Sequence, residues 1–250
     1  MGVCFVNRKI SEVMEIIFPR RCPVCSRIVI PKGAKICPEC SAGLPYVSGN
    51  RCLKCGLRLD DDGKTYCERC KRHMQDGMAS HDNGMVLFTY NDAIRKSISD
   101  FKYRNHRENA DFYADEIVRV YGDVIKSLQP DAIVPVPIHL TRLWERGYNQ
   151  ASLIAGKIAK KTGVFYDGKL LYRDKLTKRQ KNLSPQARLK NLQDAFRTRM
   201  EISKGGADYD RVLLVDDIYT TGSTIEACTR TLLMAGIKHV DFVTVAGVAN

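Results

Sequence analysis

The chain has 250 residues, 44% of them hydrophobic, and a net charge of +12 from 40 basic and 28 acidic side chains. That is enough for one medium α/β domain with a small appendage, and the basic balance favours a polyanionic partner or a phosphate-rich ligand. No apolar run approaches the ~18–20 residues that span a bilayer, so no membrane span is expected. Arg8, Lys9, Glu12 and Glu15 interrupt any secretory signal, and the protein reads as cytoplasmic.

Residues 1–20 form the first expected element. Ile10, Val13, Met14 and Ile17 fall at i, i+3, i+4 and i+7, the pattern of a short amphipathic helix. Residues 21–75 then hold eight cysteines in four C-x-x-C pairs: Cys22/Cys25, Cys37/Cys40, Cys52/Cys55 and Cys67/Cys70. Eleven residues separate successive pairs, so the pattern repeats every fifteen. One knuckle presents two thiolates on one side of a turn, and two knuckles complete a tetrahedral Cys₄ site. A cytoplasmic setting disfavours disulfides, and a redox C-x-x-C is expected once, beside a βαβ unit. The even ribbon spacing suits zinc better than an iron–sulfur cluster. Two structural zinc ions are therefore expected. The local pairing joins first to second and third to fourth pair; an interleaved pairing is the alternative. Closed Cys₄ sites have no open position, so zinc here replaces a hydrophobic core and does no catalysis. His73 is a substitute ligand in reserve. Cys4 and Cys228 stand apart.

Residues 80–250 make the larger expected domain. Strands are expected at Met85–Tyr90, at Asp131–Pro137 (ended by two prolines), at Arg211–Asp217 and at Asp241–Val248. Helices are expected at Asp92–Tyr103, Asn109–Leu128, Tyr148–Thr162 (closed by Gly163) and Thr224–Met234. This alternation argues for a parallel sheet with right-handed crossovers. Three stretches carry polar groups where a loop is expected: F-K-Y at Phe101–Tyr103, R-L-W-E-R-G-Y-N-Q at Arg142–Gln150, and T-x-x-Q-x-x-L-S-x-x-x-R-x-x-N at Thr177–Asn191. From Arg173 to Arg199, nine basic residues stand against two acidic ones, a local charge of +7.

The most informative run is V-L-L-V-D-D-I-Y-T-T-G-S-T, Val212 to Thr224. A buried strand ends in two carboxylates, and a hydroxyl-rich turn with one glycine leads into a helix near Ser223. Ligands of open α/β sheets bind at the carboxyl ends of strands. Backbone N–H groups, hydroxyls and a helix N-terminus suit a phosphate, while an acid pair suits vicinal hydroxyls or a Mg²⁺-bound sugar. Together they describe a site for a phosphorylated ribose.

The same run resembles the 5-phosphoribosyl-1-diphosphate (PRPP) motif of type I phosphoribosyltransferases. The resemblance implies that Asp216 and Asp217 face the ribose hydroxyls and that Thr220, Thr221, Gly222, Ser223 and Thr224 wrap the 5′-phosphate. The 6-oxopurine enzymes carry an aspartate base where Thr220 stands, so a hypoxanthine–guanine type reaction is not expected.

With I-V-P-V-P-I-H, the three polar stretches and the double ribbon, the chain from Cys22 to about Val248 resembles the ComF family of phosphoribosyltransferase-like proteins. The family implies a type I phosphoribosyltransferase-like parallel sheet flanked by helices, preceded by a small zinc-ribbon module. It also implies a competence role in natural transformation, acting on single-stranded DNA or with a DNA-uptake helicase, and a pocket for PRPP with Mg²⁺. The alternative is an active, amidophosphoribosyltransferase-like enzyme working on a small-molecule acceptor. In that fold the loop after Val134–Pro137 binds pyrophosphate, and Thr177–Asn191 looks like the mobile loop over PRPP. Arg142, Arg146, Gln180 and Arg188 are then the candidate pyrophosphate contacts. Tyr103, Trp144, Tyr148 and Tyr172 are the aromatic residues available for base stacking.

Overall fold

The computed structural model describes residues 19–174, 195–199 and 209–248. The segment expected as an N-terminal helix, Cys4, and most of the basic stretch, including Gln180 and Arg188, lie outside the described residues.

The two ribbons repeat one another at thirty residues. Arg21 bridges Ile28 in the first and Arg51 bridges Arg58 in the second. In each, the first cysteine's amide closes the turn, Cys22 N–H to the Arg27 carbonyl and Cys52 N–H to the Leu57 carbonyl, both at 2.8 Å. A left-handed residue completes each turn, Ser26 at φ 63° and Gly56 at φ 74°. The second knuckle of each ribbon opens a helix. Cys37 precedes α1 (Pro38–Ala42) and Cys67 precedes α2 (Glu68–Gln75), where the Cys67 sulfur accepts from the Cys70 amide at 3.4 Å. Cysteine spacing shows a period of fifteen, but alternate knuckles have different backbones, so the folding unit is twice that.

Beyond the ribbons come β1 (Gly84–Thr89), α3 (Asp92–Tyr103), α4 (Asn109–Leu128), β2 (Ala132–Pro135), α5 (Leu140–Arg146) and α6 (Gln150–Thr162). They are followed by β3 (Phe165–Tyr166), β4 (Leu171–Arg173), β5 (Phe196–Thr198), β6 (Arg211–Tyr219), α7 (Ser223–Met234) and β7 (His239–Gly247). Five strands form a parallel sheet in the order β1-β7-β6-β2-β3, and β4 pairs antiparallel with β5. Helix ends follow their local chemistry. Asn91 caps α3 by accepting from the Ile94 amide at 3.0 Å, and Gly163 ends α6 at φ 78°.

Alternation along β6 divides the core between the sheet's two faces. Val212 and Leu214 pack with Cys228 and Leu232 of α7 and with the second ribbon. Leu213 and Val215 pack with Ile94 and Phe101 of α3, Phe112 and Ile117 of α4, and Ile154 and Ile158 of α6. The ribbon seats tightly because glycines line the contact. A Cβ on Gly56 would lie 2.2 Å from the Gly84 carbonyl oxygen, and one on Gly247 would lie 2.4 Å from Leu57 Cδ2.

Two expectations change. Arg142–Gln150 was expected to be a loop, yet it contains most of α5, a tight turn at Gly147 and the first residue of α6. The F-K-Y stretch, expected both as the end of the Asp92–Tyr103 helix and as a polar loop, is the last turn of α3, with Phe101 fully buried. The other strands and helices expected between Met85 and Val248 stand with ends shifted by no more than two residues, and β3, β4 and β5 join them.

Gly56→Ala should cost roughly 1–3 kcal/mol, because the methyl meets backbone at a left-handed position. Denaturant unfolding with zinc at saturation reads this. An unchanged midpoint would contradict the seating of the ribbon on the sheet.

Candidate functional site

Asp216 and Asp217 lie at the carboxyl end of β6, between β2 and β7, with Asp216 in register with Thr244. Asp217 pairs with Lys102 at 2.7 Å, and both side chains are largely buried. Lys102 stands one residue past the buried Phe101. The Phe101 carbonyl accepts from the Tyr148 hydroxyl, which locks the end of α3 against the turn before α6. Asp216 accepts from the Asp217 amide at 2.8 Å. Burial, and then the Asp217 charge, push the Asp216 carboxyl up to about 7; that amide, Lys102 and Arg173 hold it down. Arg173 of β4 is itself half-buried, its own pKa lowered by burial and by Arg142 nearby, and its guanidinium lies over Phe196 at 5.2 Å.

The turn from Thr220 to Thr224 joins β6 to α7. Thr220 and Thr221 are exposed, and Ser223 and Thr224 half-buried. Gly222 caps α7 at φ 81°, a position that favours glycine, and a Cβ there would fall 2.5 Å from the buried Tyr219 hydroxyl. Thr221 and Ser223 hydroxyls share a hydrogen bond of 2.9 Å. An exposed turn of hydroxyls at the N-terminus of a twelve-residue helix is chemically apt for a phosphate.

This turn does not stand alone. Arg69, between two cysteines on α2, donates to the Thr220 carbonyl and to the Val248 carbonyl, the latter at 3.3 Å. On α7, the buried Glu226 pairs with Arg230 at 2.7 Å and accepts from the Ser80 amide and hydroxyl, both at 2.7 Å. The second ribbon and its trailing segment therefore brace both ends of the candidate phosphate site.

The cysteines gather as Cys22, Cys25, Cys37 and Cys40, and as Cys52, Cys55, Cys67 and Cys70. The local pairing is the one formed, and His73 belongs to neither cluster. Sulfur separations of 3.6 Å (Cys22–Cys37), 3.7 Å (Cys25–Cys37) and 3.8 Å (Cys55–Cys67) match the edge of a tetrahedron whose Zn–S bonds are about 2.3 Å. Both clusters fit zinc. All four cysteines of the second are buried, whereas Cys25 and Cys40 of the first are half-buried.

Arg142 is exposed on α5. Arg146 lies with its guanidinium over the Tyr103 ring at 5.0 Å, donating to the Tyr103 hydroxyl at 3.1 Å and to Gln150 Oε1 at 3.0 Å. Arg146 Nε and Gln150 Nε2 are buried without a hydrogen-bond partner among the described residues. Of the aromatic candidates, Tyr103 and Trp144 are exposed, Tyr172 half-buried, and Tyr148 buried. In the basic stretch, Arg199 pairs with Asp167 at 3.0 Å and serves the fold, whereas Arg173 on the hairpin reaches the Asp216 carboxyl with its charge. Cys228 is buried. Lys102 and Arg69 were not assigned from sequence. Lys102 sits in a stretch already marked as polar, but Arg69 carries no local signal. No helix among the described residues is long and apolar enough to cross a membrane.

A family model described as a double zinc ribbon domain matches residues 13–71. Competence protein F of Haemophilus influenzae is 28% identical over 219 residues, covering 82% of this chain and 93% of the relative. DNA utilization protein YhgH of Salmonella typhimurium is 30% identical over 223 residues, covering 88% and 87%. Competence protein ComFC of Bacillus subtilis is 28% identical over 206 residues, covering 81% and 79%. Adenine phosphoribosyltransferase of Leishmania tarentolae aligns at a TM-score of 0.35 and 16% identity over 59% of this chain and 74% of that one.

A raised carboxyl pKa makes stability depend on pH in a definite direction. In the unfolded chain Asp216 titrates near ~3.9. Its contribution is therefore fully present below that value and is lost as pH rises through about 7. Asp216→Asn should gain melting temperature relative to wild type between pH 5 and pH 8. A variant that loses ground as pH rises would contradict the burial of this carboxyl.

Proposed function

The chain belongs to the ComF family of competence proteins, and from that premise we propose that it handles single-stranded DNA during natural transformation through a fold that also binds PRPP. The observation that carries the phosphoribose half is the joining of an acid pair to a hydroxyl-rich turn across one strand end, Asp216 to Thr224. In this reading the 5′-phosphate takes the backbone amides and hydroxyls of Thr220, Thr221, Gly222, Ser223 and Thr224. Asp216 and Asp217 accept from the ribose 2′ and 3′ hydroxyls, and Lys102 holds Asp217 in place for this by their 2.7 Å ion pair. Arg142 and Arg146 supply positive charge for the diphosphate; Gln180 and Arg188, the other two candidates, lie outside the described residues. Ionised Asp216 is the better acceptor, so ribose binding strengthens as pH rises through about 7.

A transferase reading rests on the same residues. The buried carboxylates lie where positive character grows on a ribose losing diphosphate, and stabilising developing charge in a dry site is the larger part of such catalysis. Mg²⁺, bound with the diphosphate, would withdraw charge from the leaving group. The acceptor in that reading is a small molecule.

Thermal unfolding with PRPP and Mg²⁺ tests the pocket. Ligand at a hundredfold excess over Kd stabilises by about 2.7 kcal/mol, a shift of several degrees for a chain of this size. The double change Asp216→Asn, Asp217→Asn should abolish that shift while leaving the unliganded protein folded. A wild-type protein whose melting temperature ignores PRPP would overturn the phosphoribose reading.

A further inference from the structure

Helix α5 is an anomaly of the surface. None of its seven residues is buried, yet Leu140, Leu143 and Trp144, at i, i+3 and i+4, form an apolar stripe that is 61, 37 and 85% exposed. So short a helix has little stability of its own, and an apolar stripe left in water marks a binding surface. Leu140 and Leu143 border a cavity of about 490 Å³ whose far wall includes Leu171 and Tyr172.

The charges around the stripe say what covers it. Arg107, Arg142 and Arg146 flank it; Arg107 donates to Asn105 Oδ1 at 2.8 Å and Arg146 to Gln150 Oε1 and the Tyr103 hydroxyl, all neutral partners, and none of the three pairs with a carboxylate among the described residues. Arg107 lies over the Tyr148 ring at 4.7 Å, next to Gly147 at the end of α5. Tyr103 is 67% exposed and is backed by Arg146. Exposed aromatic rings interleaved with uncompensated guanidinium groups match a polymer of bases and phosphates. A second copy of a chain carrying +12 would bring like charge to this face.

We propose that the α5 face, with Trp144 and Tyr103 as stacking surfaces and Arg107 as a phosphate contact, is the docking site for single-stranded nucleic acid. This rests on the nucleic-acid half of the proposed function and separates it from the pocket. An acid pair that accepts from a ribose diol has nothing to accept from a deoxyribose strand, which lacks the 2′ hydroxyl and carries a phosphodiester on the 3′ oxygen. A duplex is excluded because its bases are already stacked on one another.

Trp144 is the sole tryptophan of the chain, so its emission reports this face alone. The full-length, zinc-loaded protein is titrated at low salt with a fluorescently labelled oligothymidylate, following dye anisotropy and tryptophan emission together. The expected result is quenching that tracks the anisotropy. Trp144→Ala should weaken binding by roughly tenfold while leaving the PRPP-induced melting shift unchanged. Arg107→Gln should reduce the slope of log K against log salt by about 0.7. Anisotropy that rises with silent emission and full affinity in Trp144→Ala would overturn this face and leave nucleic-acid binding standing elsewhere. No anisotropy change at low salt would overturn both. A concentration-dependent blue shift without DNA would assign the stripe to a second copy of the chain and overturn the proposal.

Discussion

The turn at the end of β6 depends on four thiolates that one zinc ion can hold together. A ribbon of this size has too little apolar surface to fold on its own, so metal–thiolate bonds take the place of a core. Here the second cluster does more than close its own loop. Cys52, Cys55, Cys67 and Cys70 are part of the same buried cluster as Val86, Tyr219 and Phe242, so the metal site is continuous with the core under the sheet. Once that cluster forms, α2 has a fixed position, and Arg69 on it is directed at the carbonyls of Thr220 and Val248. The orientation of the turn that would receive a phosphate is thereby tied to metal binding about 150 residues away in sequence. The first ribbon is attached differently, through Val24 and Ile36 packed on the core at the other face of the sheet and through polar contacts such as Arg20 to the Glu108 carbonyl and Lys35 to Asp115. Its thiolates form a small separate cluster with Val29. The two metal sites are alike in chemistry and unlike in consequence.

The acid pair shows what the fold tolerates for the sake of a site. Burial and the neighbouring Asp217 charge raise the cost of ionising Asp216, and the Asp217 amide, Lys102 and Arg173 relieve only part of it. A core built for stability alone would carry neither. Such residues are candidates for function at the carboxyl end of a parallel strand, where open α/β sheets bind their ligands. The basic surface is partitioned in a related way. Many cations serve the fold, among them Arg199 on Asp167, Arg211 on Asp241 and Arg230 on Glu226. The arginines flanking α5 bond only neutral partners among the described residues, which is why that edge differs from the rest.

Sequence pattern reached the sheet because buried parallel strands are short apolar runs and the helices between them keep a 3.6-residue period. It reached the zinc ligands because thiolate pairs have a fixed spacing. It failed at α5, where seven residues with no buried side show no periodicity against a core, and the proline-ended strand before them reads as the start of a loop. It saw a period of fifteen in the ribbons because cysteine spacing is blind to backbone conformation; the positive φ at Ser26 and Gly56 sets the true unit of thirty. Lys102 and Arg69 were hidden for a third reason. Their partners lie 115 and 151 residues along the chain, and only the fold brings them together.

The most direct test of this dependence is amide exchange of the turn from Thr220 to Thr224 in Arg69→Ala, with both Cys₄ sites filled. The two Arg69 hydrogen bonds are charge-assisted and each is of the order of 1.5–3 kcal/mol. Their loss should speed exchange in the turn by at least about tenfold and weaken PRPP binding, with the zinc content unchanged. Exchange and PRPP affinity equal to wild type would show that the turn holds its shape unaided, and that the ribbon is not its support.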